Sequence, residues 1–576
     1  MAEKKATADS RLASLIKEES GSPPPYSSQP SSTQASSSNL EAGGEAPPLL
    51  ENLDLQPSPL ELPTAAECLV HLKLLHAFAK LRSDIGNEEG LFGIDLDKFE
   101  DAREDIQSKD AHQPDGVHRE GAIKATAAGH ELSGEEKAEA TLKERIREKR
   151  WTVFVTKAVD RFEKWWDSLS LRGDRSLLPL RTTEFETQVP GGNLPFKPEL
   201  QGLDDVIRDI LPPLDILMVW HSYLLSPRIY FEDCLRLSRS ELWRTPFPWK
   251  LINEAIDNDT YEYTAPTEAI ETFNKSLDIP WDTADDSRPK TISCPKCLQP
   301  VSVPWTRPPA TTDLGAIEAY LINDTGFAGH LFEACPGCEF TITHEKLRVG
   351  KFIKDSKALS VQQRPLPGTI LNSAGFPQLT DGNKKLGTHD PFFPNRVLEK
   401  LSEFKYSELQ KEIETLSIEV LKARFENTMR SSWSVKTVNS AQYKPELIAK
   451  ESKTAVRKML SHYWDNASPF GIDLVGAVLR QGTFVLKMRK IDWLHSPAAM
   501  VTMQRLIVKY HRFIRIIADN PRMIAVPTLD VDLAWVRLSI SPFLRLALMN
   551  TAYTPAHAKD LLHIHKDGVQ EIPQPR

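Results

Sequence analysis

Residues 211–237 read LPPLDILMVWHSYLLSPRIYFEDCLRL, and this stretch sets the architecture expected for the whole chain. Its apolar residues recur too densely for a helix with one wet face, so the segment must be buried. The pattern reads as helix, hinge, helix. Asp215 is placed to cap the first piece, and Ser226 followed by Pro227 supplies an N-cap and a first-turn proline for the second. Far along the chain, VPTLDVDLAWVRLSISPFLR, starting at Val526, aligns under the stretch starting at Leu211 without a gap. Pro212 meets Pro527, Leu214 meets Leu529, Asp215 meets Asp530, Trp220 meets Trp535, and Ser226-Pro227 meets Ser541-Pro542. One helical unit is therefore expected twice, each copy preceded by an amphipathic helix, in a mainly α protein built of two related helical halves.

The text ahead of the first copy agrees. AAECLVHLKLLHAFAKL, from Ala65, repeats Leu69, Leu72, Leu75, Phe78 and Leu81 at helical spacing and predicts an amphipathic helix. A second helix, opened by a capping box of Ser133 and Glu136, carries Trp151, Phe154, Ala158, Phe162 and Trp165 on one face as core. Ahead of the second copy, Met503, Leu506, Ile507, Tyr510, Ile514 and Ile517 form one side of a helix, and Arg505, Lys509, Arg512 and Arg515 form a solvated basic face.

The divisions expected from composition are a disordered Ser/Pro-rich tail over 1–63, a first helical domain over 64–285 and a zinc-knuckle module over 286–360. A Pro/Gly-dense linker over 361–395 and a second helical domain over 396–576, ending in a degenerate tail, complete the chain. A polar insertion at about 108–134 interrupts the first domain. The 576 residues carry a net charge of -8 without a Lys/Arg block, which argues against nucleic acid as the partner. No apolar run approaches the ~18 residues of a membrane helix, and no secretory signal opens the chain, so a cytoplasmic or nuclear location without a membrane partner is expected.

Of the six cysteines, Cys68 and Cys234 stand alone, and four form the pairs CPKC (Cys294, Cys297) and CPGC (Cys335, Cys338). Each pair has the i, i+3 spacing of a knuckle whose backbone amides turn toward the sulfurs, and two knuckles complete a tetrahedral S4 shell for structural zinc. Flanking TIS and EFTITHE predict short strands, and DLGAIEAYLIN between the pairs predicts a helix laid across the site. Such a shell has no open position for water or substrate, so it serves folding.

LDILMVWHSYLLSPRIYFEDC resembles the signature of the glycine-rich domain-containing protein-like family, in which D-x-x-x-x-W-H-x-H/Y-x-L-x-P-x-x-Y recurs. KRWTVFVTKAVDRFEKWW, the CPKC/CPGC pairs and PGTIL are similar to fungal members. The resemblance implies a domain of unknown function, although some fungal relatives carry a name implying a 2-oxoglutarate-dependent sulfonate dioxygenase. Here Tyr223 stands for the second His, and Val536 and Leu538 replace both His in the second copy.

Outside the cysteines, the Trp220-His221-x-Tyr223 element is the one candidate site, with His221 as a ligand or base and Asp215 and Tyr223 nearby. On a helix, residues two apart diverge by about 200°, so His221 and Tyr223 do not share a ligand. A core histidine bonded to a neighbouring carbonyl or carboxylate is the reading adopted. His565-Lys566-Asp567 has the local spacing of an iron site, and His344-Glu345 begins HExxH with Arg348 in place of the second His. No catalytic or further cofactor-binding residue is assigned. The expected function is a zinc-stabilised helical protein-interaction scaffold with protein partners. The rival is a metal-dependent, dioxygenase-like enzyme centred on Trp220-His221-x-Tyr223.

Overall fold

Thr64 opens the first helix with a reciprocal cap: its hydroxyl accepts from the Glu67 amide at 3.1 Å, and the Glu67 carboxylate accepts from the Thr64 amide at 3.0 Å. The helix that follows is one of a set that makes the fold mainly α in a computed structural model, which describes residues 64–94, 134–169, 208–239, 242, 247–310, 313–371, 391–439, 450–519 and 527–539. For residues 134–140, 314, 450–451, 514, 517–519 and 535–539 only the helical backbone is described. The expected disordered tail, the insertion, the Ser133 cap, the Trp535 side chain and His565–Asp567 lie outside the described parts.

The helices that build the first core are α1 (Ala65–Asn87), α2 (Gly134–Ser168), α3 (Leu214–Leu224), α4 (Pro227–Arg236), α5 (Trp249–Ala255) and α6 (Thr267–Ser276). Two short hairpins follow, β1 (Lys290–Ser293) with β2 (Pro300–Val303) and, beyond α7 (Leu314–Asn323), β3 (Glu333–Ala334) with β4 (Thr341–Ile342). Then come α8 (His344–Gln362), α9 (Phe393–Lys400), α10 (Tyr406–Lys411), α11 (Ile418–Arg430), α12 (Ser432–Asn439) and α13 (Lys450–Ser461). The last three are α14 (Leu474–Ile491), α15 (Ala499–Asp519) and α16 (Leu529–Ser539).

The core does not divide where composition shifts along the chain. One apolar cluster joins residues of α1 to α6 with Ile370, Leu371 and the buried faces of α14, α15 and α16. A second joins the hairpins, α8 and the helices between Phe393 and Tyr463. The helices ahead of and within the second copy therefore complete the core of the first. Their packing is reciprocal about the pair α1 and α14: α1 packs on α15 and α16, while α14 packs on α2 and α3. The aligned α3 and α16 are both helices of 11 residues that begin at the aligned leucines.

This central position changes the reading of α1. It is buried on nearly every side, His71, Lys73 and His76 included, because α2, α5, α14, α15 and α16 surround it. Burial favours the neutral amine of Lys73, whose pKa falls to about 8, and its Nζ donates to the Asn253 carbonyl at 2.8 Å. The predicted ring face of α2 is buried as expected, with Trp151, Phe154, Ala158, Phe162 and Trp165 all in the core. On α15, Met503, Leu506, Ile507 and Tyr510 are buried, Arg505, Arg512 and Arg515 are exposed, and Lys509 reaches Asp530 at 2.5 Å. The segment expected as linker begins inside the structure: Leu366, Thr369, Ile370 and Leu371 are buried, and Asn395 and Glu232 accept from the Leu366 and Ile370 amides. Side chains here satisfy buried backbone amides, as any buried N–H requires.

Candidate metal centre and the buried signature

The two cysteine pairs form the tips of the two hairpins, and the tips are built alike. In the first, the Cys294 amide donates to the Gln299 carbonyl and the Leu298 amide to the Cys294 carbonyl; in the second, Cys335 with Phe340 and Glu339 with Cys335 repeat the pattern. The residue after each second cysteine is left-handed, Leu298 at φ 63° and Glu339 at φ 56°, although neither is glycine. This reversal folds the chain back over the sulfurs. Amides of Lys296 and Cys297 face the Cys294 sulfur, and those of Gly337 and Cys338 face Cys335.

The four ligand atoms lie within 4.8 Å of one another, with Cys294 and Cys338 sulfurs 3.7 Å apart and those of Cys297 and Cys335 3.6 Å apart. A tetrahedral ion with metal–sulfur bonds of about 2.3 Å requires sulfur separations of about 3.7–3.8 Å. The tetrad could thus hold a metal ion with little rearrangement. Burial pushes the Cys294 thiol up to about 12. Burial opposes ionisation at Cys335 too, but the Gly337 and Cys338 amides and the neighbouring thiols outweigh it and bring its pKa down to about 7. Four thiolates this close together, two of them buried, need a cation to coexist. Of the expected surroundings, the strands TIS and TI are present. The helix DLGAIEAYLIN is α7, yet it leans on α2, where Tyr320 packs with Ile146, instead of lying across the cysteines.

The signature is buried throughout. Trp220 is 1% exposed against Trp165, Phe247 and Tyr230, and its Nε1 donates to the Tyr230 hydroxyl at 3.3 Å. His221 is 2% exposed and meets His71, not the expected carbonyl or carboxylate: the two Nε2 atoms are 3.1 Å apart, sharing one proton, beneath Phe78 and Phe247. Burial lowers the His221 pKa to about 3, so it is neutral. Asp215 caps nothing. It lies inside α3, whose N-cap is Pro213, and accepts from Arg161 and Thr283, each at 2.7 Å. Ser226 does stand at the N-cap of α4 with Pro227 after it, but its side chain makes no capping bond.

Tyr223 points away from His221 into a polar network that sequence reading missed. Its hydroxyl donates to Asp233, which also accepts from the Gly471 amide at 2.6 Å and from Arg236 at 2.9 Å. Arg236 reaches on to the Pro365 carbonyl at 2.9 Å and to Asp355 at 3.5 Å, and Asp355 accepts from Tyr463 at 2.9 Å. Lys351, one turn before Asp355 on α8, donates to the His462 and Phe470 carbonyls. Burial works against the Arg236 charge, but Asp355 and Asp233 outweigh it. The one signal in the sequence was Asp233 and Arg236 at i, i+3 inside a run too apolar to be exposed. The network joins the cores, α4 belonging to the first and α8 to the second. The knuckle touches the same helix: a Cβ on Gly350 would stand 3.1 Å from the Pro295 side chain.

His344 is likewise structural, its Nε2 bonding to the Phe327 and Gly329 carbonyls at 3.0 and 3.2 Å at the start of α8. Among the described residues the cysteine tetrad is the group of three or more Cys, His, Asp or Glu placed to hold a metal, and no helix is long and apolar enough to cross a membrane.

No curated protein and no solved structure matches the chain. The model of the glycine-rich domain-containing protein-like family matches residues 406–544, so the match falls on the second copy and runs past Trp535 instead of resting on the intact WHxY of the first. Through this segment, the chain is similar to the glycine-rich domain-containing protein-like family.

Proposed function

We propose that this chain is a zinc-stabilised helical scaffold for protein partners, and that its helical halves are copies of one unit. The observation that carries the reading is the closed cysteine tetrad. Four sulfurs at tetrahedral separations satisfy a d10 ion of tetrahedral preference and offer no site for a substrate. Zinc is favoured over iron–sulfur by two short knuckles that converge on one point, the ligand set of zinc ribbons. The metal then contributes folding energy to hairpins too short to fold alone. Reciprocal packing about α1 and α14 supports the duplicated unit, and an exposed Trp433, 70% accessible on α12, supports a contact surface. Among the described residues His221 is buried against His71, Phe78 and Phe247, which favours a core role over the rival enzyme.

Metal analysis of the purified full chain tests the first part, with about one tightly held zinc and no stoichiometric iron expected at the cysteines. The partner role is tested by affinity capture with quantitative mass spectrometry on wild type and Cys294→Ser. Stoichiometric capture of a specific protein by wild type alone supports it. Stoichiometric iron that His221→Ala abolishes would favour the enzyme instead.

A further inference from the structure

A separate cluster lies where α1 meets two loops. His76 of α1 is 6% exposed, its Nε2 is buried and has no hydrogen-bond partner, and its ring stands 5.0 Å from Tyr261 and 5.8 Å from His495. Tyr261 and His495 are 6.0 Å apart between ring centres, with the phenol oxygen 2.6 Å from His495 Nε2. The other nitrogen of His495, Nδ1, bonds to the Asp492 carboxylate. Tyr261 and Asp492 are both held in the left-handed region, at φ 58° and 56°, where neither has the freedom of glycine. Strain of this kind collects at functional positions.

A histidine that ligates a metal almost always donates its other N–H to a carboxylate, which fixes the tautomer and turns the free lone pair to the ion. Asp492 does this to His495. We propose that His76, His495 and Tyr261 form a site for one divalent transition-metal ion, distinct from the cysteine tetrad, with two imidazole nitrogens and the phenol oxygen as ligands. Two imidazoles on one ion, at nitrogen–metal distances of about 2.0–2.1 Å, place ring centres about 5–6 Å apart, which matches the His76–His495 separation. The phenol oxygen would retreat from 2.6 Å to about 3.3 Å from Nε2 and release its proton to solvent as the ion enters. Imidazole with oxygen suits zinc, copper or nickel. Burial, with His495 next, depresses the His76 pKa to about 4 and keeps that ring a neutral donor. Asp492 and Asp259 favour a cation near these rings, against Arg489.

The probe is Zn2+ itself, added to the full-length chain without a polyhistidine tag, with bound metal counted after desalting and affinity read by calorimetry. Wild type is expected to bind a second zinc beyond the one at the cysteines, and Cys294→Ser to keep this second ion. His495→Gln, at a half-exposed position that leaves folding intact, should lose it. Asp492→Asn should weaken it by about 10–100-fold, the usual effect of removing a carboxylate behind a ligand. His76→Gln should also lose it, and if that variant fails to fold, the His495 and Asp492 variants decide. A wild type that binds no zinc outside the cysteines, or a His495→Gln chain with unchanged affinity for the second ion, would overturn the proposal.

Discussion

Arg236 is the place where a single change should part the two cores. It is 1% exposed, with Asp233 at 2.9 Å, Asp355 at 3.5 Å and the Pro365 carbonyl at 2.9 Å as its partners. Arg236→Met fills similar volume but leaves two carboxylates and a carbonyl in a buried site without their cation. Breaking a buried pair from one side typically costs about 3–5 kcal/mol, since the remaining charge is uncompensated. Asp233 keeps the Tyr223 hydroxyl and the Gly471 amide, which places the expected loss near the lower end, about 3 kcal/mol. Arg236→Lys, which retains the charge but not the fork, should lose roughly half of that. The assay is urea unfolding followed by tryptophan fluorescence, dominated by the rings of the first core, and by metal release, which reports the knuckles. Wild type should show coincident transitions and the Met variant separated ones, because the network is what α4 and α8 share. A loss below about 1 kcal/mol with coincident transitions, the scale of a surface ion pair, would refute the reasoning.

Cys294→Ser or Cys335→Ser should lose the metal and expose residues 286–360 to hydrogen exchange, and full zinc retention in the double variant would contradict this. Trp220→Ala should destabilise the chain by about 3–5 kcal/mol in denaturant titration, since it empties a site lined by Trp165, Phe247 and Tyr230. The His221 pKa is lowered in the folded state to about 3 from 6.5, so the unfolded chain binds the extra proton; stability from this group is complete above 6.5 and declines as pH falls toward 3. Between about pH 8 and about pH 5 it should account for about 2 kcal/mol, and His221→Gln should remove that share of the pH dependence while costing little at neutral pH.

The helical character, the core rings of α2, the buried side of α15 and the cysteine tetrad were all legible because each rests on local periodicity or spacing. Residues three or four apart share a helix face, and two cysteines three apart make a knuckle whatever surrounds them. His221 was legible as buried but not as the partner of His71, which is 150 positions away. The Asp215 cap failed for a related reason. A carboxylate near a helix start is a cap only when no stronger partner exists, and Arg161 from α2 supplied one.

The sequence by itself determined that α3 and α16 would be helices of one pattern, that Trp220 would be a core ring and that four thiols would converge. Only the tertiary structure decided that the copies complete one another's core. Which helix surrounds α1 depends on contacts between residues hundreds of positions apart, and no local period encodes them. The same packing turned an apparently amphipathic α1 into a central helix, and set Asp233, Arg236 and Asp355 against one another. It also carried His76, Tyr261 and His495 to one place, where three unrelated lines of sequence become a single cluster of ligand atoms.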